Sequence, residues 1–197
     1  MKQYGILTVT DATFEPVTVA EVATSLRIDQ TADENDLLSS LIVVARRRIE
    51  SQFGIVCGQA TFDQYLDCYP DRYTIRLQRW PIQSVTHFKY LDSSGTLTTL
   101  ATTEYSSKLV MNPARIMPAY GVSWPTLRGV AEQIQIRFIA GYATQAAIPE
   151  PIKTAIKLLV GHWYENRENT TIATLLPIPY GVETLLQPYA LNTNGYL

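Results

Sequence analysis

Cysteine and histidine are scarce in this chain, with two of each among 197 residues. Ten residues separate Cys57 from Cys68 and there is no CxxC pair. Zinc ribbons and fingers take paired ligands at close spacing, so a structural zinc site is excluded. Without a secretion signal the two thiols are expected to stay reduced rather than pair. Long hydrophobic runs are also missing. The uncharged stretch "LLSSLIVVA", Leu37 to Ala45, is bounded by Asp36 and Arg46, far short of the roughly 20 residues that cross a bilayer. The N-terminal "MKQYGILTVTDATFE" has one lysine and no long apolar region, so no signal peptide is read there and no membrane partner is expected. A surplus of charge of one sign is missing too. The 16 basic and 18 acidic residues leave a net charge of −2, whereas a dedicated nucleic-acid binder usually carries a basic excess. There is no GxSxG elbow, HExxH, P-loop or GxGxxG, and so none of the compact signatures of hydrolase, metalloprotease or nucleotide chemistry.

What is present is an ordinary globular composition, 46% hydrophobic and 17% charged. A chain of this length buries roughly 70% of its unfolded surface and needs no staple. "VTVAEVATSLRI" announces a helix, with Thr18 and Glu21 as a capping box and Val17 with Val22 as a hydrophobic staple. A second helix follows "DQTADEND", capped by Thr31 with Glu34 or by Asp33 with Asp36. Its apolar stripe is Leu38, Leu41, Ile42, Ala45, Ile49 and Phe53, and Gly54 ends it. Arg46 and Arg47 fall off that stripe, with Glu50 four residues after Arg46. They form either a solvated, salt-bridged face or, with Arg48, a basic patch toward a partner.

From about residue 59 the period changes to two. "TFDQYLDC", "YTIRLQ" and "SVTHFKYLD" read as strands, and "DSSG" is turn chemistry before "TLTTL". "YSSKLV" and "ARIMP" are short strand candidates, and "EQIQIRFIAGY" alternates most cleanly, with Ile134, Ile136 and Phe138 on one face. After Gly141 the helical period returns: Pro151 suits a first turn, and Ile152, Ala155, Ile156, Leu159 and Trp163 form a stripe. "VETLLQPYA" gives a short last helix. The expected fold is α+β. Helices over about 18–54 and 150–188 pack as a mainly α-helical bundle, a small antiparallel β module over about 59–140 is inserted between them, and a mobile tail occupies about 189–197.

Catalytic candidates are few. His87 reads as an ordinary sheet residue. His162 and Glu165 share a helical face at i,i+3, the only pair to support a hydrolase reading. No nucleophile–base–orienter set accompanies them, so "IKLLVGHWYENRE" reads as a packing helix and the chain as a non-enzyme without cofactor or metal. Tyr164 beside Trp163 suits a partner surface, since aromatics and arginine anchor interfaces.

The ordered segments "FEPVTVAEVATSLRID", "ADENDLLSSLIVVARRRIES", "LQRWPIQSVTHFKYLDSSG", "IRFIAGYATQAAIPEPIKTAIKLLVGHWYENRE" and "IPYGVETLLQPYA" resemble the head–tail connector (adaptor) proteins of tailed bacteriophages. The resemblance covers about residues 6 to 190. It implies a non-enzymatic protein of the virion neck, made in the host cytoplasm. Such proteins form a homo-oligomeric ring, usually twelve-fold, below the portal protein and above the stopper or tail-completion protein. The genomic DNA passes through without sequence-specific binding. It implies that the C-terminal segment docks on the portal, making Tyr189, Asn192, Asn194, Tyr196 and Leu197 contact candidates, with Arg46, Arg47, Tyr164 and Arg167 as further ones. The alternatives are another neck protein (a stopper or tail-completion protein), a nucleic-acid-binding module using Arg46, Arg47 and Arg48, and the hydrolase using His162 and Glu165.

Overall fold

A computed structural model describes residues 4–29, 31–70, 74–165 and 180–191. The fold is α+β, with four α-helices and eight strands among the described residues. They divide into two compact units, one holding residues 4–13 and 59–141, the other residues 14–58 and 142–190.

The helical unit contains α1 (Val19–Leu26), α2 (Ala32–Phe53), α3 (Glu150–Glu165) and α4 (Tyr180–Leu186). Local signals set its boundaries. The Thr18 hydroxyl accepts from the Glu21 amide at 3.2 Å, and the Glu21 carboxylate accepts from the Thr18 amide at 2.6 Å, completing the capping box. That amide bond holds the Glu21 carboxyl below its ordinary range. Thr31 caps α2 through the Glu34 amide, and Gly54 ends it at φ 67, a left-handed conformation that glycine adopts without a Cβ penalty. Leu38, Ile42, Ala45 and Ile49 of α2 share one core with Ile152, Ala155, Ile156 and Leu159 of α3, joined by Val182 and Leu186 of α4. Each fully buried branched side chain contributes about 1.5–3 kcal/mol. Gly161 lets α1 approach α3, since a Cβ there would lie 2.8 Å from a Leu26 methyl. Trp163 and Tyr164 are half-buried against this core.

The sheet unit contains β1 (Tyr4–Thr10), β2 (Ala60–Leu66), β3 (Ile75–Arg76), β4 (Ile82–Leu91), β5 (Leu97–Thr99), β6 (Tyr105–Lys108), β7 (Arg115–Pro118) and β8 (Ile134–Ala140). A five-stranded sheet runs β1-β2-β8-β4-β5 and a three-stranded sheet β3-β7-β6, every pairing antiparallel. β8 lies at the centre of the larger sheet, and its alternation is complete: Ile134, Ile136, Phe138 and Ala140 are buried while the residues between them are half-buried. Phe62 of β2 stacks on Phe138 with ring centroids 5.8 Å apart. The Asp92 carboxylate closes the β4–β5 hairpin by accepting from the Ser94 and Thr96 amides, each at 2.9 Å, with Gly95 at φ 88. The "DSSG" hairpin is thus where the sequence put it.

Four expectations change. The strand content is substantial rather than a small module, with two sheets of five and three strands. The first strand comes from the N-terminal segment ahead of the helices: "YGILTVT" is β1, a run of β-branched and aromatic residues that suits a pleated surface. "YTIRLQ" contributes only the two-residue β3, and Tyr73 lies outside the described residues. The buried Gln64 of β2 holds the chain on either side of Leu77. Its amide donates to the Arg76 carbonyl and accepts from the Gln78 amide, both at 2.9 Å, on the edge turned away from β7, toward which the Leu77 amide donates to the Ala114 carbonyl. Finally, Tyr189 does not begin a loose tail. It ends a 3-10 turn, Gln187–Tyr189, and packs against the helical core.

Candidate interaction site

The basic cluster on α2 separates into three different environments. Arg46 is only 3% exposed. Its guanidinium donates to Glu15 through Nε at 2.9 Å and Nη2 at 3.1 Å, and to Glu50 through Nη1 at 3.0 Å. Glu50 in turn accepts from the Cys57 amide at 2.9 Å. One arginine therefore ties the segment before α1 to α2 and to the turn after α2. This corrects the placing of Arg46 on a solvated face or a partner patch: two carboxylates, one of them 31 residues away, draw it inward. Arg47 and Arg48 are exposed. A free DNA-binding triad is thereby reduced to two surface arginines.

Tyr164 and Tyr189 are half-buried and pack on the helical core. Arg167, Asn192, Asn194, Tyr196 and Leu197 lie outside the described residues. His162 is half-buried and Glu165 exposed on α3, in a depression of about 630 Å³ that also takes in Ser25, Thr154 and Lys157. Among the described residues no group of three His, Cys, Asp or Glu side chains could hold a metal ion. No described helix is long and apolar enough to cross a membrane. Cys57 is buried and Cys68 exposed, both free thiols. Burial, reinforced by the nearby Glu50 charge, pushes the Cys57 thiol far up, so it is inert.

In the sequence, the alternation of β8 and the residue before it sets Gln133, Gln135 and Arg137 on a wet face, but sequence reasoning missed the partners they meet across the larger sheet. The register lines up Leu7, Asp63, Arg137 and His87 in one row across β1, β2, β8 and β4, and Gly5, Tyr65, Gln135 and Lys89 in the next. Asp63 is buried; Arg137 grips it at 2.7 Å through both Nε and Nη2, and Gln135 donates at 2.8 Å. The signal available in the sequence was a lone acid and a lone arginine, each mid-strand. The Arg137 hydrogen bonds hold the Asp63 carboxyl below its ordinary range. His87 has a buried Nε2 without a hydrogen-bond partner among the described residues. Desolvation, then the Lys89 and Arg137 charges, depress its pKa.

Both folded-state values lie below the unfolded ones, so in acid the unfolded chain binds more protons and stability falls. The loss is expected to begin as pH drops through the ordinary histidine value of 6.5 and to resume below the ordinary aspartate value of 3.8. Urea midpoints measured across this range check it. His87→Gln should flatten the first decline and leave the second.

Solved chains with this fold include ones from gene transfer agent particles. One, from the neck of an empty gene transfer agent particle with C6 symmetry, is 25% identical at a TM-score of 0.75, covering 94% of this chain and 95% of that one. A chain in the virion of the native gene transfer agent particle is 23% identical at a TM-score of 0.75, covering 94% of each. A third, from the native neck with C12 symmetry, is 24% identical at 0.69, covering 95% and 94%. Among curated proteins none matches the chain in sequence. The class so defined is the structural neck protein of a phage-like particle, connecting head to tail, and not an enzyme. The chain belongs to the Head completion protein family, whose profile matches residues 15–189. This agrees with the connector resemblance read from the ordered segments.

Proposed function

We propose that the chain assembles as a homo-oligomeric ring in the neck, between the portal protein and a stopper or tail-completion protein, and that the genomic DNA passes through its channel. The observation that carries this is the likeness over 94% of the chain to a protein in a C6-symmetric neck. The charge distribution supports it. A net charge of −2 and an Arg46 consumed by Glu15 and Glu50 leave little to grip phosphates, as a sliding duplex requires. Portal contact falls to the C-terminal end, with Asn192, Asn194, Tyr196 and Leu197, and to Tyr164, Arg167, Arg47 and Tyr189. Within a ring, repetition would multiply a weak contact by avidity.

The test is electron microscopy of the protein mixed with its portal, alongside a form lacking residues 192–197. The full chain should decorate portals as a ring and the truncated form should not. Normal decoration by the truncated form would move the portal contact elsewhere. Absence of any ring, together with tight, salt-sensitive DNA binding by the free protein, would revive the nucleic-acid reading.

A further inference from the structure

Among the described residues, both edges of the five-stranded sheet lack charged and proline guards. Natural sheets protect their edges with short strands, β-bulges, lysine, proline, inward charges or a covering element. β1 reads "YGILTVT" and β5 "LTT", with neither charge nor proline in either. Among the described residues β1 pairs with β2 alone and β5 with β4 alone. The protection that is present is geometric: β1 shifts register between Thr8 and Thr10 and β5 is only three residues long, which leaves the Tyr4–Thr8 stretch of β1 regular. Each edge also exposes apolar side chains: Leu7 is 55%, Val9 42% and Leu97 54% exposed.

We propose that the β1 edge of one copy pairs with the β5 edge of the next, so that the larger sheets continue from subunit to subunit around the neck; this rests on the ring reading above. Four observations select a second copy as the occupant. The two edges lie on opposite sides of one sheet, the arrangement a heterologous, ring-closing contact requires. A β1–β1 contact would be two-fold and would stop at a dimer. Neither edge carries a charge that would repel the other, and Leu7, Val9 and Leu97 would lose exposure together. The strand count fixes the direction. All pairings are antiparallel and there are five strands, so β1 and β5 run the same way. Neighbours in a twelve-fold ring turn by only about 30°, so the new pair is parallel.

The short β5 sets the strength. Three residues supply few backbone hydrogen bonds, so one contact is weak and closure of the whole ring stabilises it. The same brevity limits open-ended stacking of free protein.

The experiment uses full-length protein with Cys68→Ser, which removes the exposed native thiol, together with Leu7→Cys and Leu97→Cys. Assembled necks are treated with a short bis-maleimide. The expected result is a ladder of covalent oligomers that ends at the ring size and requires both new cysteines. Rings intact by native mass spectrometry without a ladder would overturn the edge pairing and leave the ring reading standing. Dimers from Leu7→Cys alone would overturn it in favour of β1–β1 contact. Absence of rings would sink both readings. Independently, Leu7→Lys should raise the protein concentration needed for ring formation at least about tenfold while the circular dichroism spectrum stays native. Unchanged assembly by this variant would also count against the pairing.

Discussion

Arg46→Ala is expected to destabilise the helical unit by about 3–5 kcal/mol, the cost of breaking a buried ion pair by removing one partner. Its side chain is 4% exposed, against 32% for Glu15 and 18% for Glu50. After the change Glu15 reaches water, whereas the largely enclosed Glu50 loses the Arg46 guanidinium. Glu50 also accepts from the Cys57 amide, so the turn after α2 loosens with it. Glu15→Gln should cost less, because Arg46 keeps Glu50 and the lost partner was the more exposed one. Arg48→Ala, on the exposed face, should stay within about 0.5 kcal/mol. Urea unfolding followed by circular dichroism orders the three. If Arg46→Ala and Arg48→Ala unfolded at the same midpoint, the ion cluster would contribute nothing net.

That ordering separates two roles that adjacent arginines present identically in a sequence. Helical periodicity places Arg46 beside the apolar stripe, and it says nothing of Glu15, which meets it from outside the helix at a separation of 31 residues. Buried polar side chains are the general case. Gln64 reaches across 12 and 14 residues to the backbone around β3. Gln133 donates to the Asp67 carbonyl and accepts from the Gly129 amide at 2.7 Å. Such groups are satisfied by partners that only the folded chain assembles, so a scan for local pattern reads them as surface.

What was legible is local. The Thr18–Glu21 box, the Thr31 cap, the Gly54 stop, the Asp92 turn and the alternation of β8 each depend on residues within a few positions. β1 was legible in composition and escaped because the segment was read only for export signals. The family resemblance rested on the order of segments, and the match over residues 15–189 bears it out. The partner residues were not legible in that way, since docking surfaces have no internal periodicity to reveal them.

Phe138→Ala is the second large effect, about 3–5 kcal/mol for truncating a fully buried aromatic. Phe138 is at the centre of the central strand, 0% exposed, directly opposite Phe62 on β2 and Val85 on β4. Its ring stacks on Phe62 at an interplanar angle of 27°, and Arg79 lies over the Phe62 ring at 5.5 Å from its centroid. Truncation therefore opens a cavity and removes an aromatic pair at once. A double-mutant cycle with Phe62→Ala should return a coupling of about 0.5–1.5 kcal/mol. Ile139→Ala, next along the strand but on the polar face and half-buried, is the matched control and should cost well under half as much as Phe138→Ala. Equal losses at 138 and 139 would mean that the two faces of β8 are packed alike. Because β8 joins the β1–β2 half of the sheet to the β4–β5 half, a loosened centre should also impair any assembly that uses both edges. Ring formation by Phe138→Ala should then fail at temperatures where the helical unit is still folded.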